Sequence, residues 1–411
     1  MSLFQELLAE EELRLKTGVN LIASENYPSK DVRKIVGSIF SAKYAEGAPL
    51  KRFYSGCRVV DKMELAVQNL VKNIFKAEHA NVQPHSGSQA NEAVFLALLR
   101  PGDLIMAMSF DAGGHLTHGN KLNFSGKNYD FVFYSVDENS EKINYDEVER
   151  LATEKKPKLI IAGASSYPFL IDFERFAKIA HKVGAIFMAD IAHVAGLIPA
   201  GVLNSPAPYA DIVTFTTHKT LRGPRGGVIL CKEKFAKQID RAVMPGLQGG
   251  PFMNNIAAKG VCFQEAKTRE FAAYQLRVTL FTKLFTEVMM QKGFEFVAGG
   301  TDSHLAVLKV SSIQKLREED QTGDFVAKLL EQVNIFVNKN VVPRETKPPM
   351  LTSGIRIGFA PMANFLDKQE QVLEIASFFE RLFNDPYGED NKQSIVADVK
   401  NFMSSLDLNW L

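Results

Sequence analysis

The stretch Asp211-Ile212-Val213-Thr214-Phe215-Thr216-Thr217-His218-Lys219-Thr220-Leu221-Arg222-Gly223-Pro224-Arg225-Gly226-Gly227-Val228-Ile229-Leu230-Cys231 decides how this chain folds. A β-prone run leads into a polar loop, and two glycines return the chain to a second apolar run. One lysine, Lys219, therefore sits at a strand-to-loop junction among hydroxyls, His218, Arg222 and Arg225. That is a poor position for packing. It suits an amine that attacks a carbonyl, because neighbouring cations and burial lower an amine's pKa and free its lone pair. A solvated or anion-binding basic loop has the same local appearance, so the rest of the chain must decide.

Around this stretch, short apolar runs recur at Leu104–Met108, Phe131–Val136, Leu159–Ala162, Ala185–Ala189, Ile212–Phe215 and Val228–Leu230. Helical spacing separates several of them, as in Asp172–Val183. It also precedes them, at residues 59–76 and Ala90–Leu99. Strands alternating with helices predict a largely parallel sheet covered on both faces. From Asn255 to Lys292 the pattern is helical. A shorter βαβ-like tail follows, with runs at His304–Val310, Asp324–Asn334, Ile335–Val337, Gly354–Gly358 and Gln369–Phe383. The expected division is a large domain over residues 1–270 and a smaller α/β domain over 271–411.

Composition narrows the function classes. With 48 basic and 47 acidic residues the charge is balanced, which argues against a nucleic-acid footprint or a polybasic membrane surface. No apolar run approaches the roughly 18 residues of a membrane span. The start, Met1-Ser2-Leu3-Phe4-Gln5-Glu6, is amphipathic and acidic, unlike a signal peptide. Cys57, Cys231 and Cys262 are too scattered for a disulfide framework or a metal-ligand pattern. A reduced cytoplasmic protein is the expectation.

Polar runs fall where strands end, the usual place for ligands in an open α/β sheet. Ser86-Gly87-Ser88 opens a helix; its free N–H groups suit an anion, although a plain N-cap is the alternative. Asp190 closes an apolar run, and a buried carboxylate needs a partner. That partner is either a pyridinium N–H, as in pyridoxal phosphate enzymes, or an ordinary salt bridge or helix cap. His115 and His118 lie between glycines, where a loop histidine, ring stacking or a metal are open readings, though no third ligand is near. Arg356, in an alternating strand pattern, offers a planar fork to a substrate carboxylate or to a structural ion pair. Glu46 among Tyr44 and Tyr54 suits proton transfer, although surface residues would look similar.

Together these runs resemble serine hydroxymethyltransferase over essentially the whole chain. The likeness rests on Leu21–Tyr27, Lys43–Gly47, Gln83–Asn91, Gly113–Gly119, Ala162–Tyr167, Asp190–Leu197, Thr216–Gly227, Gln248–Pro251 and Thr352–Gly358. It implies an α/β, type I pyridoxal-phosphate-dependent transferase fold (aspartate aminotransferase-like). Its large domain would carry a mostly parallel seven-stranded sheet. It implies pyridoxal 5'-phosphate as a Schiff base on Lys219, with tetrahydrofolate as co-substrate and no metal. Asp190 would face the pyridine nitrogen and His115 would stack on the ring. Ser86, Gly87, Ser88 and a partner chain's Gly250 would hold the phosphate, while Ser165 and His193 would contact the phenolic oxygen. Thr216, His218 and Arg225 would support the lysine. Ser24 and Arg356 would hold the amino-acid carboxylate. Glu46, Tyr44 and Tyr54 would come from the partner subunit of an obligate homodimer with shared active sites. Phe110, Gly114, Leu116 and Asn340 would line the folate side. The small-molecule partners are then serine, glycine and tetrahydrofolate.

The sequence departs from the family at Ala48, Leu50, Phe53, Ala112, Asn254 and Phe359, positions expected on the folate side and outer pocket. A folate-independent aldolase of β-hydroxy amino acids is the alternative activity. A non-catalytic descendant is the second alternative, opposed by the intact Lys219, Asp190 and Arg356.

Overall fold

The structure, a computed structural model, describes residues 2–411. The chain forms two compact units. One comprises Pro28–Ser165 and Leu170–Ala273; the other comprises the residues before Pro28, Ser166–Phe169 and Tyr274–Leu411.

The first unit is built on a seven-stranded sheet. Its strands are β1 (His79–Asn81), β2 (Leu104–Met108), β3 (Asp130–Tyr134), β4 (Leu159–Ala162), β5 (Ile186–Asp190), β6 (Ile212–Thr216) and β7 (Gly227–Cys231). In space they run β1-β7-β6-β5-β4-β2-β3. Strands β2 to β6 pair in parallel, whereas β7 is antiparallel to both β6 and β1. The reason lies in the connections. Parallel neighbours need a crossover of a dozen or more residues, normally helical. Only the loop 217–226 joins β6 to β7, so the chain can only double back. The loop that carries Lys219 is therefore a hairpin turn at the carboxyl end of β6.

Strands β4 and β6 are buried at every residue, as expected of strands covered on both faces. Helix Gly87–Leu98 supplies Ala90, Val94 and Phe95 to a core shared with Ile105, Leu159, Ile212 and Ile229. Chain order reverses between β4 and β2, so a crevice opens where both end.

Strand β1 was not anticipated: at three residues it is too short to show a period. The helical run expected from Asn255 to Lys292 is two helices, Met253–Glu265 and Arg269–Gln291. Thr268 explains the break, because its Oγ1 accepts the N–H of Phe271 at 3.2 Å and starts the second helix in the manner of an N-cap.

The second unit contains β8 (Leu305–Lys309), β9 (Asn338–Asn340) and β10 (Gly354–Gly358), in the spatial order β8-β10-β9. Both pairings are antiparallel, unlike the βαβ pattern expected of this tail. Helices Gly323–Glu331, Gln369–Asn384 and Glu389–Ser404 accompany them. Phe359, expected on the outer pocket, is instead fully buried here and packs on Phe281 and Phe285. It follows β10 directly and points into the apolar interior. Among the described residues, no helix is long and apolar enough to cross a membrane.

Candidate active site

Five chain segments converge on one cavity of about 200 Å³ in the first unit, one of them the loop after β4 with Ala164 and Ser165. The others are the start of helix Gly87–Leu98, the loop after β2, the end of β5 and the loop between β6 and β7. The helix start is built for close approach. Ser86 is the N-cap, and its Oγ accepts the N–H of Gln89 at 3.2 Å. The N–H groups of Gly87 and Ser88 precede that bond and belong to the anion-attracting first turn. A Cβ on Gly87 would stand 2.5 Å from Thr216 Cγ2, and one on Gly227 would stand 2.3 Å from the Ser86 carbonyl. Glycine at both positions lets the helix tip approach the Lys219 loop.

That loop is held by its own threonines. Thr217 Oγ1 donates to Pro224 O at 2.5 Å, and Thr220 Oγ1 donates to His193 O at 2.7 Å. Gly223 N donates to Thr217 O at 2.7 Å, and Thr216 Oγ1 donates to Ala192 O at 3.2 Å. The hydroxyls flanking Lys219 thus fix its backbone and orient it toward the cavity, which Lys219, His218 and Arg225 line. His218 Nδ1 is buried without a hydrogen-bond partner. Burial, followed by the charges of Arg225, Lys219 and Lys259, pulls the His218 pKa down to about 3, so the ring is neutral at neutral pH.

Asp190 ends β5 and is buried. Its Oδ2 accepts from Asn91 Nδ2 at 2.9 Å and lies 2.9 Å from His118 Nε2, while Oδ1 accepts from Ala192 N at 3.1 Å. His118 Nδ1 accepts the N–H of His115 at 3.2 Å, so the proton facing Asp190 is on Nε2. Burial alone would raise the Asp190 pKa. The hydrogen bond from His118, with His115 and Asn91 close by, outweighs it and holds the carboxyl well below the usual range. Asn91 is itself locked, because Thr214 Oγ1 donates to its Oδ1 at 2.7 Å and its Nδ2 donates to Thr117 Oγ1 at 2.8 Å. His115 Nδ1 lies 2.8 Å from Thr117 Oγ1, which sets the plane of the ring. Asn91, Thr117 and Thr214 surround Asp190 and His115 and are not singled out in the sequence, while His118 is noted there without its partner Asp190. His118 pairs with Asp190, and among the described residues no group of three or more His, Cys, Asp or Glu side chains could hold a metal ion.

Of the other expected residues, Ser165 and His193 line the same cavity, and Ser165 N donates to Gly113 O at 2.7 Å. Tyr44, Glu46, Tyr54 and Gly250 do not line it. They form a separate group in which Tyr44 and Tyr54 are exposed and Glu46 and Gly250 are half-buried. The rings of Tyr44 and Tyr54 are 5.1 Å apart. A Cβ on Gly250 would stand 3.1 Å from Tyr44, and one on Gly249 would stand 2.7 Å from Glu46 Oε1. Partial desolvation, then the hydrogen-bonded Glu46 carboxylate, raises the Tyr54 pKa. Phe110 and Leu116 are exposed, and Gly114 folds tightly under Met108.

In the second unit, Ser24 and Arg356 come together: Arg356 Nη2 donates to Ser24 Oγ at 3.2 Å, and Nε donates to Asn338 Oδ1 at 3.0 Å. Burial lowers the Arg356 pKa to about 10, and the group stays charged at neutral pH. Asn340 closes onto its own backbone, its Nδ2 donating to Val341 O at 2.7 Å.

The altered positions have individual explanations. Asn254 Nδ2 donates to Val36 O at 2.8 Å at the end of helix Lys30–Val36, a structural role. Leu50, 76% exposed at a hairpin tip, takes a left-handed φ of 65° that a glycine would adopt freely, and Phe53, 77% exposed, follows the hairpin's second strand. Ala48 is exposed on the same hairpin, and Ala112 is buried.

The cavity's donor set fits pyridoxal phosphate. It combines a helix N-terminus for a phosphate, a buried ionised carboxylate for a protonated ring nitrogen, an imidazole with a fixed plane, and a lysine beside a buried imidazole whose Nδ1 is unpaired. Residues 2–379 match the family model described as serine hydroxymethyltransferase.

Proposed function

The chain belongs to the serine hydroxymethyltransferase family, whose reaction interconverts L-serine and glycine with tetrahydrofolate as one-carbon acceptor, and on that premise we propose the roles of its residues. The convergence of Lys219, Asp190, His115 and the Ser86–Ser88 helix start on one cavity carries this reading. Pyridoxal phosphate, when bound, supplies an electron sink that lets a bond at the substrate's α-carbon break heterolytically.

Lys219 Nζ is the amine that anchors the cofactor. Asp190, kept ionised by His118 and Asn91, holds a proton on the ring nitrogen. The N–H groups of Gly87 and Ser88, with the hydroxyls of Ser86 and Ser88, bind the phosphate. His115 lies against the ring face, while Ser165 and His193 orient the phenolic oxygen. His218, neutral and short of a partner, accepts or donates at Nδ1 without adding charge beside the lysine. Thr216 and Arg225 hold the loop. Arg356, steadied by Asn338 and Ser24, receives the amino-acid carboxylate as a two-pronged fork. Folate contacts are assigned to Phe110, Gly114 and Leu116 in the first unit and to Asn340 in the second. A cytoplasmic location fits three buried, unpaired cysteines.

Glu46 Oε1 is the proton carrier for the hydroxymethyl group, and it acts in the site of a second copy. The grouping of exposed Tyr44 and Tyr54 with half-buried Glu46 and Gly250, none of them lining their own chain's cavity, supports that division. Hybrid dimers test it. Co-expression of differently tagged Lys219→Ala and Glu46→Gln chains gives hybrids in which one site carries both lesions and the other carries none. With shared sites, the purified hybrid recovers about half of wild-type glycine formation although each parent is inactive. If Glu46 serves its own chain, every site in the hybrid is damaged and no activity returns.

A further inference from the structure

Lys259 has no part in the roles above, yet it is only 1% exposed. It lies on helix Met253–Glu265, and its Nζ donates to three main-chain carbonyls: Val82 at 2.7 Å, Gly227 at 2.8 Å and Pro84 at 3.3 Å. Three acceptors match the three protons of an ammonium, whereas a neutral amine has only two to give. Two of these carbonyls belong to the segment entering the helix cap Ser86. The third belongs to the residue that ends the Lys219 loop, two beyond Arg225. The two segments also bond directly, Gly227 N donating to Pro84 O at 3.0 Å.

The surrounding sequence makes room for this charge. A Cβ on Gly226 would stand 2.5 Å from Lys259 Cε and 2.9 Å from its Nζ. Burial pulls the Lys259 pKa down to about 7, and the charge of Glu64 opposes that shift. A buried ammonium is costly when its only strong ligands are neutral carbonyls. A methionine of similar length would fill the space at less cost if packing were the only need. The charge is placed where it ties together the two walls of the helix-tip cradle.

We propose that Lys259 is a positioning residue for the cofactor phosphate: its ammonium clamps the Val82–Ser86 turn to the Arg225–Gly227 segment and places positive charge behind the cradle. This rests on the reading of the cavity as a pyridoxal phosphate site. It differs from a general structural role in acting on the phosphate and not on the ring.

The test compares two aldehydes on the full-length dimer stripped of cofactor. Wild-type and Lys259→Met proteins are titrated with pyridoxal 5'-phosphate and with pyridoxal, which lacks the phosphate, following visible absorption. Inorganic phosphate is added separately while the melting temperature is read. Affinity of Lys259→Met for the phosphorylated aldehyde is expected to fall by about tenfold or more, the scale of a lost charged hydrogen-bonding group. Its affinity for pyridoxal should change by less than about twofold on that scale, and the phosphate-induced rise in melting temperature should disappear. Equal weakening toward both aldehydes, or no change toward either, would overturn the proposal. Gly226→Ala, which crowds the ammonium without removing its charge, should show the same split and serves if Lys259→Met does not fold. Wild-type protein that gains no visible absorption with pyridoxal 5'-phosphate would instead sink the reading of the cavity itself.

Discussion

Replacing Lys219 with alanine is expected to abolish glycine formation from L-serine, leaving less than roughly 10⁻⁴ of the wild-type rate, the scale on which loss of a covalent group reads in other enzymes. The purified variant should also lack the visible absorption band of wild-type protein, since no other amine takes this position. Lys219 follows the fully buried β6 in a loop tied down by Thr217 and Thr220. Its replacement leaves those bonds intact, so the melting temperature should change little. A colourless, folded and inactive variant separates loss of chemistry from loss of structure. Retained colour would place the anchoring amine elsewhere.

The second large effect is expected at Asp190→Asn. Removing one member of a buried charged pair typically costs about 3–5 kcal/mol. Expressed in the transition state, that is a loss of roughly 10²–10⁴-fold in kcat/KM. The amide matches the carboxylate in shape, but it offers an N–H where His118 Nε2 and Asn91 Nδ2 already donate. Either those two donors lose their acceptor or, with the amide turned over, Ala192 N–H loses its own, and in both cases the ring nitrogen loses the negative charge that keeps its proton. Absorbance and circular dichroism of the bound cofactor should both shift, which a purely structural lesion would not produce. The sign of the pH effect follows from the depressed Asp190 pKa. Its contribution to stability is present above the ordinary carboxylate value of 3.8 and is lost only as pH falls through the lower folded-state value. Wild-type protein should therefore keep this contribution through mild acid, and the variant should lack it throughout.

The features legible in the sequence are the local ones. Lys219, the Ser86–Ser88 helix start and the strand end at Asp190 each announce themselves through their immediate neighbours. Six of the seven strands and their mostly parallel pairing follow from the apolar runs and the helices between them; the three-residue β1 does not. What the sequence hides is non-local. Asn91 and His118 reach Asp190 across 99 and 72 residues of chain, and nothing in the spacing of either residue announces the meeting. His118 was visible only as a possible metal ligand because its partner was not. Lys259 looks like any lysine on a helix until the carbonyls of Val82, Pro84 and Gly227 surround it. Phe359 and Asn254, read as changes to the outer pocket, serve an aromatic core and a helix end. Ala48 and Leu50, on the hairpin of strands Gly47–Ala48 and Lys51–Arg52, and Phe53, just after it, form the exposed altered segment, which Glu46 and Tyr54 flank.

Whether that altered tip still serves a folate is decided by the rate of glycine formation from L-serine by the purified dimer, with and without tetrahydrofolate, beside the same assay on threonine. Membership of the serine hydroxymethyltransferase family predicts that serine turnover depends strongly on tetrahydrofolate and exceeds threonine cleavage. Serine cleavage indifferent to folate, with threonine cleaved faster, would contradict it.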